Sequence, residues 1–229
     1  MAEYNMNHEA KKQGLGVVPV KFGISFTTAL LNQGSALIWI YIDGTVSVTT
    51  GGVEMGQEVS TKVAIVVSRV LGIPIQRIRV ESSNSQRVGN ASPTAASTGS
   101  DINGNAARIA AEKLRENLLP IARQMLEDAF QVKLGGQKIV FEEGYFHVAN
   151  APENSLSFDD LIRTAYVNRI PLAAYGYYKT PDVWFDREQG IGNPFFYYVF
   201  GCALSRVEID LSIGDHKILD NLFVLVNGQ

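Results

Sequence analysis

With 229 residues, 46% of them hydrophobic and 19% charged, the chain is long enough for one large domain or two modest ones, and folding at this size buries about 70% of the unfolded surface. A formal net charge of −3 and a pI near 5.7, with no basic run, exclude a nucleic-acid surface. No apolar run reaches the ~18 residues a membrane helix needs, and the polar start MAEYNMNHEAKKQG lacks the apolar segment of a signal peptide, so a cytoplasmic location without a membrane partner is expected.

Residues 1–14 read as a flexible leader to a domain spanning 15–229. The first strong signal is a hairpin, Ala36 to Ile42 and Thr45 to Thr50 around Asp43-Gly44, after which Gly51 and Gly52 simply end the second strand on the plainest reading. A helix is predicted from near Gly56, with Val59, Val63, Val66, Val67 and Val70 inward and its stop at Gly72 before Pro74. A second, longer helix begins near Ser100 or Asp101 and carries Ile102, Ala106, Ile109, Ala110, Leu114, Leu118 and Ile121. Asp101 reads as a cap and Ala106 to Ala111 as close helix packing. Gly135 and Gly136 permit a subdomain boundary near Leu134 to Gln137.

Lys138 to Phe141 and Tyr145 to Val148 form a predicted hairpin across Glu142, Glu143 and Gly144. Ser157 with Asp160 reads as a capping pair for a short helix through Tyr166, followed by a strand near Leu172 to Tyr178. Thr180 to Pro194 reads as an irregular surface loop whose Trp184 and Phe185 either meet a partner or pack beneath it. Phe195 to Leu211 and Lys217 to Val226 close the chain as a strand pair around Gly214-Asp215. Helices return between strand pairs rather than after every strand, which predicts an α+β fold of mixed or antiparallel sheets with two long helices.

Both long helices are fed by turns of small and polar residues, GGVEMGQ (Gly51 to Gln57) and SPTAASTGSDING (Ser92 to Gly104). At such a helix start, unpaired backbone N–H groups and the positive dipole end suit a phosphate. Ala95, Ala96, Ser97 and Gly99 leave room for a bulky ligand against the backbone. The two turns read as halves of one anion cradle, although a Gly-rich helix start is a weak signal by itself.

The residues themselves are more specific. KFGISF (Lys21 to Phe26), GGVEMGQ, the pair Thr61 and Lys62, PTAAS (Pro93 to Ser97), DINGNAA (Asp101 to Ala107) and FFYYVFGCALSRVEID (Phe195 to Asp210) occur in order along nearly the whole chain. In these segments the chain resembles the molybdenum-binding subunit of the molybdenum hydroxylases, the xanthine dehydrogenase and aldehyde oxidase family. The resemblance implies the fold of part of that family's molybdopterin-binding domain. It also implies that Met55, Gly56 and Gln57 lie against the pyranopterin and its phosphate, and that Thr94, Ala95, Ala96 and Ser97, with Gly99, wrap it from the other side. Gln57 can donate and accept toward pterin ring atoms, while the Thr94 and Ser97 hydroxyls suit phosphate oxygens. The chain departs from the family where Glu58 follows Gln57 in place of the usual Gly, and where Ser60 replaces a frequent aromatic or His. A carboxylate at Glu58 would compete with a cofactor phosphate for the helix dipole unless it points to solvent.

The resemblance further implies a partial chain. The family's substrate-orienting Arg and Phe lie upstream of the matched region, and another cofactor-contacting Gln and the catalytic glutamate lie downstream of Val226 to Gln229. No catalytic residue is therefore expected here, and the chain alone is expected to be inactive. The parent would hydroxylate a purine, hypoxanthine or xanthine, with water as oxygen source and with iron–sulfur and FAD centres on other chains or segments of an oligomer. The lone Cys202 cannot hold such a cluster or form an internal disulfide, and in its apolar strand reads as a buried free thiol. His8, His147 and His216 stand in polar terminal or hairpin settings without a neighbouring ligand, so no protein-ligated metal is expected. The competing readings are a stand-alone molybdopterin or nucleotide binding module without turnover, a structural domain with a decayed cradle, and an aldehyde oxidase-type parent.

Overall fold

A computed structural model of the chain describes residues 1–81 and 83–226; the predicted domain end at Gln229 lies outside the described residues. In chain order the elements are α1 (Ala2–Asn7), β1 (Lys11–Ile24), β2 (Gln33–Ile40), β3 (Val46–Thr50), α2 (Val59–Leu71), β4 (Ile78–Glu81) and α3 (Gly99–Phe130). They continue as β5 (Ile139–Glu142), β6 (Tyr145–Val148), β7 (Ala151–Ser157), α4 (Phe158–Val167), β8 (Ala173–Lys179), β9 (Trp184–Asp186), β10 (Ile191–Asn193), β11 (Tyr197–Asp210) and β12 (His216–Val226). This is the α+β arrangement expected from the sequence. None of the described helices is long and apolar enough to cross a membrane.

Two compact units divide the chain, one built from residues 1–25 and 195 onward, the other from Phe26–Pro194. The stretch Leu134 to Gln137 lies inside the second unit, so the division does not fall at its glycines.

The first unit is an antiparallel sheet of order β1-β11-β12, in register from Lys11 opposite Asp210 to Ile24 opposite Tyr197. Pro19 is tolerated because β1 is an edge strand. Residues 1–14, predicted as a flexible leader, instead form α1 and the start of β1. Asn5 ties the two together, its side chain accepting from the Gln13 N–H at 2.6 Å and donating to the Gln13 carbonyl at 2.8 Å. Tyr4 Oη donates to Glu208 at 2.7 Å, which joins α1 to β11.

In the second unit a four-stranded sheet of order β4-β3-β2-β8 is covered by α2 and α3. The Asp43-Gly44 turn forms as read: Asp43 Oδ1 accepts from the Thr45 N–H at 2.9 Å, and Gly44 takes the positive φ of 80° that a side chain resists. β3 and β4 are parallel with α2 between them, which makes the sheet mixed. Ala36, Ile38 and Val48 meet Val63, Val67, Ala110 and Leu114 in a core without solvent access. The opposite face carries the exposed rings of Trp39, Tyr175 and Tyr177. α3 lies directly on β8 because Gly176 has no side chain: a Cβ there would stand 2.0 Å from the Ala106 carbonyl oxygen and 2.7 Å from the Ala110 nitrogen. α3 also runs through Pro120, an interior position that costs about 3 kcal/mol in an isolated helix; buried Leu118, Ala122 and Leu126 offset it by packing.

β5, β6 and β7 form a third, antiparallel sheet, in which Glu143 (φ 50°) and Gly144 (φ 81°) make the tight turn of the predicted hairpin. Ser157 caps α4, but its hydroxyl accepts from the Asp159 N–H at 3.1 Å rather than pairing with Asp160. Asp159 itself forms a two-pronged ion pair with Arg77, one prong Nη2 to Oδ2 at 2.7 Å. The segment read as an irregular loop, Thr180 to Pro194, contains the short hairpin β9–β10, because Gly190 (φ 69°) and Gly192 (φ 150°) supply conformations that periodicity does not reveal.

Candidate functional site

The two turns singled out in the sequence meet in space. The Val53 N–H donates to Thr94 Oγ1 at 2.9 Å, and between the turns lies a cleft of about 340 Å³. Met55, Gln57, Thr94, Ala95, Ser97 and Gly99 line it, six of the eight residues predicted to touch a cofactor. The other two, Gly56 and Ala96, do not line it; both have positive φ, 98° and 52°, and shape the turns instead.

α2 begins at Val59, three residues after the predicted start, because Gly56, Gln57 and Glu58 remain in the turn. Its amino end does not stand open for a phosphate. Glu54 Oε1 accepts from the N–H groups of Gly56 at 3.0 Å and Glu58 at 2.9 Å, and Oε2 accepts from Ser60 at 3.1 Å. These donors, Ser60 first, hold the Glu54 carboxyl below the usual carboxylate range. Of the two outcomes open to Glu58, competing for the dipole or pointing to solvent, the structure has the second: it takes the left-handed N-cap position (φ 61°) with an exposed side chain that makes no cap bond. Gln57 is likewise committed to its own turn: Oε1 accepts from the Met55 N–H at 2.7 Å and Nε2 donates to the Val53 carbonyl at 2.8 Å.

The α3 side is arranged differently. Ala96 and Ser97 are both left-handed, at φ 52° and 55°, a conformation costing non-glycine residues about 1–2 kcal/mol each. The N-cap residue Thr98 makes no side-chain cap bond, since its hydroxyl donates to the Ala95 carbonyl at 3.0 Å. Gly51 and Gly52 bring the first turn against this region: a Cβ on Gly51 would meet the Ala91 Cβ at 2.3 Å, and one on Gly52 the Asn103 Nδ2 at 2.9 Å. The glycines thus do more than end a hairpin strand. Two cleft residues escaped the sequence reading as contacts, Lys62 and Ser100. The Lys62 ammonium donates to the Gln57 carbonyl at 3.0 Å and supplies the positive charge of the cleft. Its place one turn into α2 on the side of Gln57 was the available signal.

Among the described residues no group of His, Cys, Asp and Glu is arranged to hold a metal. His147, read as standing in a polar hairpin, is instead buried, with Nδ1 2.9 Å from the Val148 carbonyl and Nε2 2.7 Å from Glu142 Oε1. Cys202 is a free thiol, half-buried rather than buried.

The fold is shared with parts of oxidoreductases of known structure. Quinoline 2-oxidoreductase from Pseudomonas putida 86 superimposes with a TM-score of 0.75 at 24% identity, over 98% of this chain and 28% of that one. Carbon monoxide dehydrogenase from Oligotropha carboxidovorans does so with a TM-score of 0.77 at 22% identity, over 97% and 27%. The chain belongs to the molybdopterin cofactor-binding domain family, whose model matches residues 1–226. It is 41% identical over 215 residues to the xanthine dehydrogenase/oxidase of Gallus gallus and 40% identical over 213 residues to the xanthine dehydrogenase of Oryza sativa subsp. japonica. These alignments take in 94% and 93% of this chain and 14% of each relative, so the chain spans about a seventh of the curated relatives it matches.

Proposed function

We propose that this chain forms part of the molybdopterin cradle of a xanthine dehydrogenase-like molybdenum hydroxylase, with the ligand held in the cleft between the turns at Val53 and Thr94. The carrying observation is the convergence of both motifs on one cleft of about 340 Å³ whose lining suits the cofactor's parts. The Lys62 ammonium and the hydroxyls of Ser97, Ser100 and Thr94 match a phosphate, while Met55 and Ala95 offer apolar contact to a ring face. Ser97 and Gly99 are small enough for close approach, and a Cβ on Gly99 would meet nothing nearer than 3.7 Å.

In this reading the α2 end, filled by Glu54, contributes no phosphate donors, and the anion belongs to the α3 side with Lys62. When bound, the molybdenum cofactor supplies the redox centre for hydroxylation with water as oxygen source. The residues of this chain bind and orient it, and none of them is assigned a proton-transfer step. Iron–sulfur and FAD centres, the base and the substrate-choosing residues belong to other segments of an oligomeric, cytoplasmic enzyme. Identity near 40% to xanthine dehydrogenases favours a purine parent over an aldehyde oxidase-type one.

The test uses the full-length enzyme that contains this chain. Gln57→Ala and Thr94→Ala are expected to lower molybdopterin content, each lost hydrogen bond costing about 1 kcal/mol. Wild-type retention in both variants would overturn the cradle assignment. Turnover of hypoxanthine or xanthine above that of an aldehyde would support the purine parent, and the opposite preference would replace it.

A further inference from the structure

We propose that Glu54 is the positioning residue of the cleft, its carboxylate holding the 53–60 turn in the shape that presents Met55, Gln57 and Lys62 to the ligand; this rests on the cofactor reading above. Three backbone donors converge on the one carboxylate, from Gly56, Glu58 and Ser60 at 3.0, 2.9 and 3.1 Å. Two of them belong to residues with positive φ, Gly56 at 98° and Glu58 at 61°; glycine takes such an angle freely, but a left-handed glutamate persists only where surrounding bonds over-determine it. No cap hydrogen bond comes from the N-cap residue of α2.

Gln57 cannot replace Glu54, because both ends of its amide already close an inner ring with Met55 and Val53. The turn is therefore built from two nested rings, the inner made by a neutral amide and the outer by a charge. Lys62 depends on the result, since its ammonium is anchored on the Gln57 carbonyl at 3.0 Å. Without Glu54 the N–H groups of Gly56, Glu58 and Ser60 would turn to water, and the permissive φ of Gly56 would no longer be prescribed. The same carboxylate satisfies the positive end of α2 from within, so a bound anion is left to the opposite wall, beside Ser97 and Ser100.

The experiment uses the full-length enzyme, with pterin content per protomer, affinity for added molybdenum cofactor, and amide hydrogen exchange at Gly56, Glu58 and Ser60 of the cofactor-free protein as readouts. Glu54→Ala is expected to speed exchange at those amides and to weaken cofactor retention, each by about tenfold. Glu54→Gln keeps one oxygen at the position that serves Gly56 and Glu58 and is expected to regain most of both. Glu54→Asp keeps the charge but is one methylene too short to reach, and is expected to resemble Glu54→Ala.

Faster exchange with wild-type retention would overturn the inference, as would unchanged exchange in Glu54→Ala. If Glu54→Ala does not fold, the order of the other two decides: retention better in Gln than in Asp supports positioning by reach, and the reverse order overturns it. A wild-type enzyme that holds no molybdopterin would instead sink the cofactor reading, while the exchange readout would still report whether Glu54 holds the turn.

Discussion

Val53 and Thr94, 41 residues apart in sequence, are joined by one hydrogen bond of 2.9 Å from the Val53 N–H to the Thr94 hydroxyl oxygen. This bond closes one wall of the cleft on the other. Thr94→Val preserves shape but removes the acceptor, and is expected to cost about 1 kcal/mol and to lower cofactor content, with Thr94→Ser restoring both. Calorimetry and pterin content on the full-length protein check it; a Val variant equal to wild type in both would show that the walls are held by packing alone.

Gly176→Ala tests the seat of α3. Its new methyl group would collide with backbone, the Ala106 carbonyl oxygen at 2.0 Å, rather than with a movable side chain. We expect a loss of about 3 kcal/mol, the upper end for overpacking, seen as a lowered melting temperature or insoluble expression. A neutral result would mean that β8 and α3 can slide apart.

The hairpin at Asp43-Gly44 and both long helices were legible because their signals are local: turn residues at fixed offsets and apolar spacing of 3.6. The meeting of the two turns was legible only through specific residues, since spacing alone leaves a hairpin end and an ordinary helix start. β1 was missed because Lys11–Ile24 alternates poorly and gains its partners from Tyr197–Asp210, far along the chain. Glu54 was missed for a different reason: its role depends on the positive φ of Gly56 and Glu58, which no side-chain pattern encodes. The burial of His147 likewise follows from the β5–β6–β7 sheet, not from its polar neighbours.

The Arg77–Asp159 pair carries a pH signature. Arg77 holds the Asp159 carboxyl below its ordinary range, so the pair stabilises the fold above the unfolded value, near 3.9, and that contribution disappears as pH falls through the lower folded value. Asp159→Asn is expected to cost about 1 kcal/mol at neutral pH and to converge with wild type in strong acid. Melting curves from pH 7 down to about 2 check it; a constant gap between the two proteins would contradict the assignment.

His147 acts in the opposite direction. The Val148 carbonyl, and then Glu142, favour the protonated ring and raise its pKa. Its stabilising contribution is complete below the unfolded value near 6.5 and is lost as pH rises through the higher folded one. The stability gap between wild type and His147→Gln should therefore be widest at pH 5.5–6, using ~6.5 as the reference, and narrow toward alkaline pH. NMR titration of the ring gives an independent check, and a ring that stays neutral at pH 6 would refute it.

Because β1 pairs with β11 and not with any strand that follows it directly, the chain must be synthesised through Asp210 before its first long strand finds its full complement of partners. Everything from Phe26 to Pro194, including both walls of the cleft, has left the ribosome by then. Domains generally fold as they emerge, and closing a long loop costs entropy that grows only slowly with its length. The cleft is therefore expected to be shaped before this sheet closes, with the edge strand Lys11–Ile24 left waiting, its backbone donors unpaired and open to mispairing.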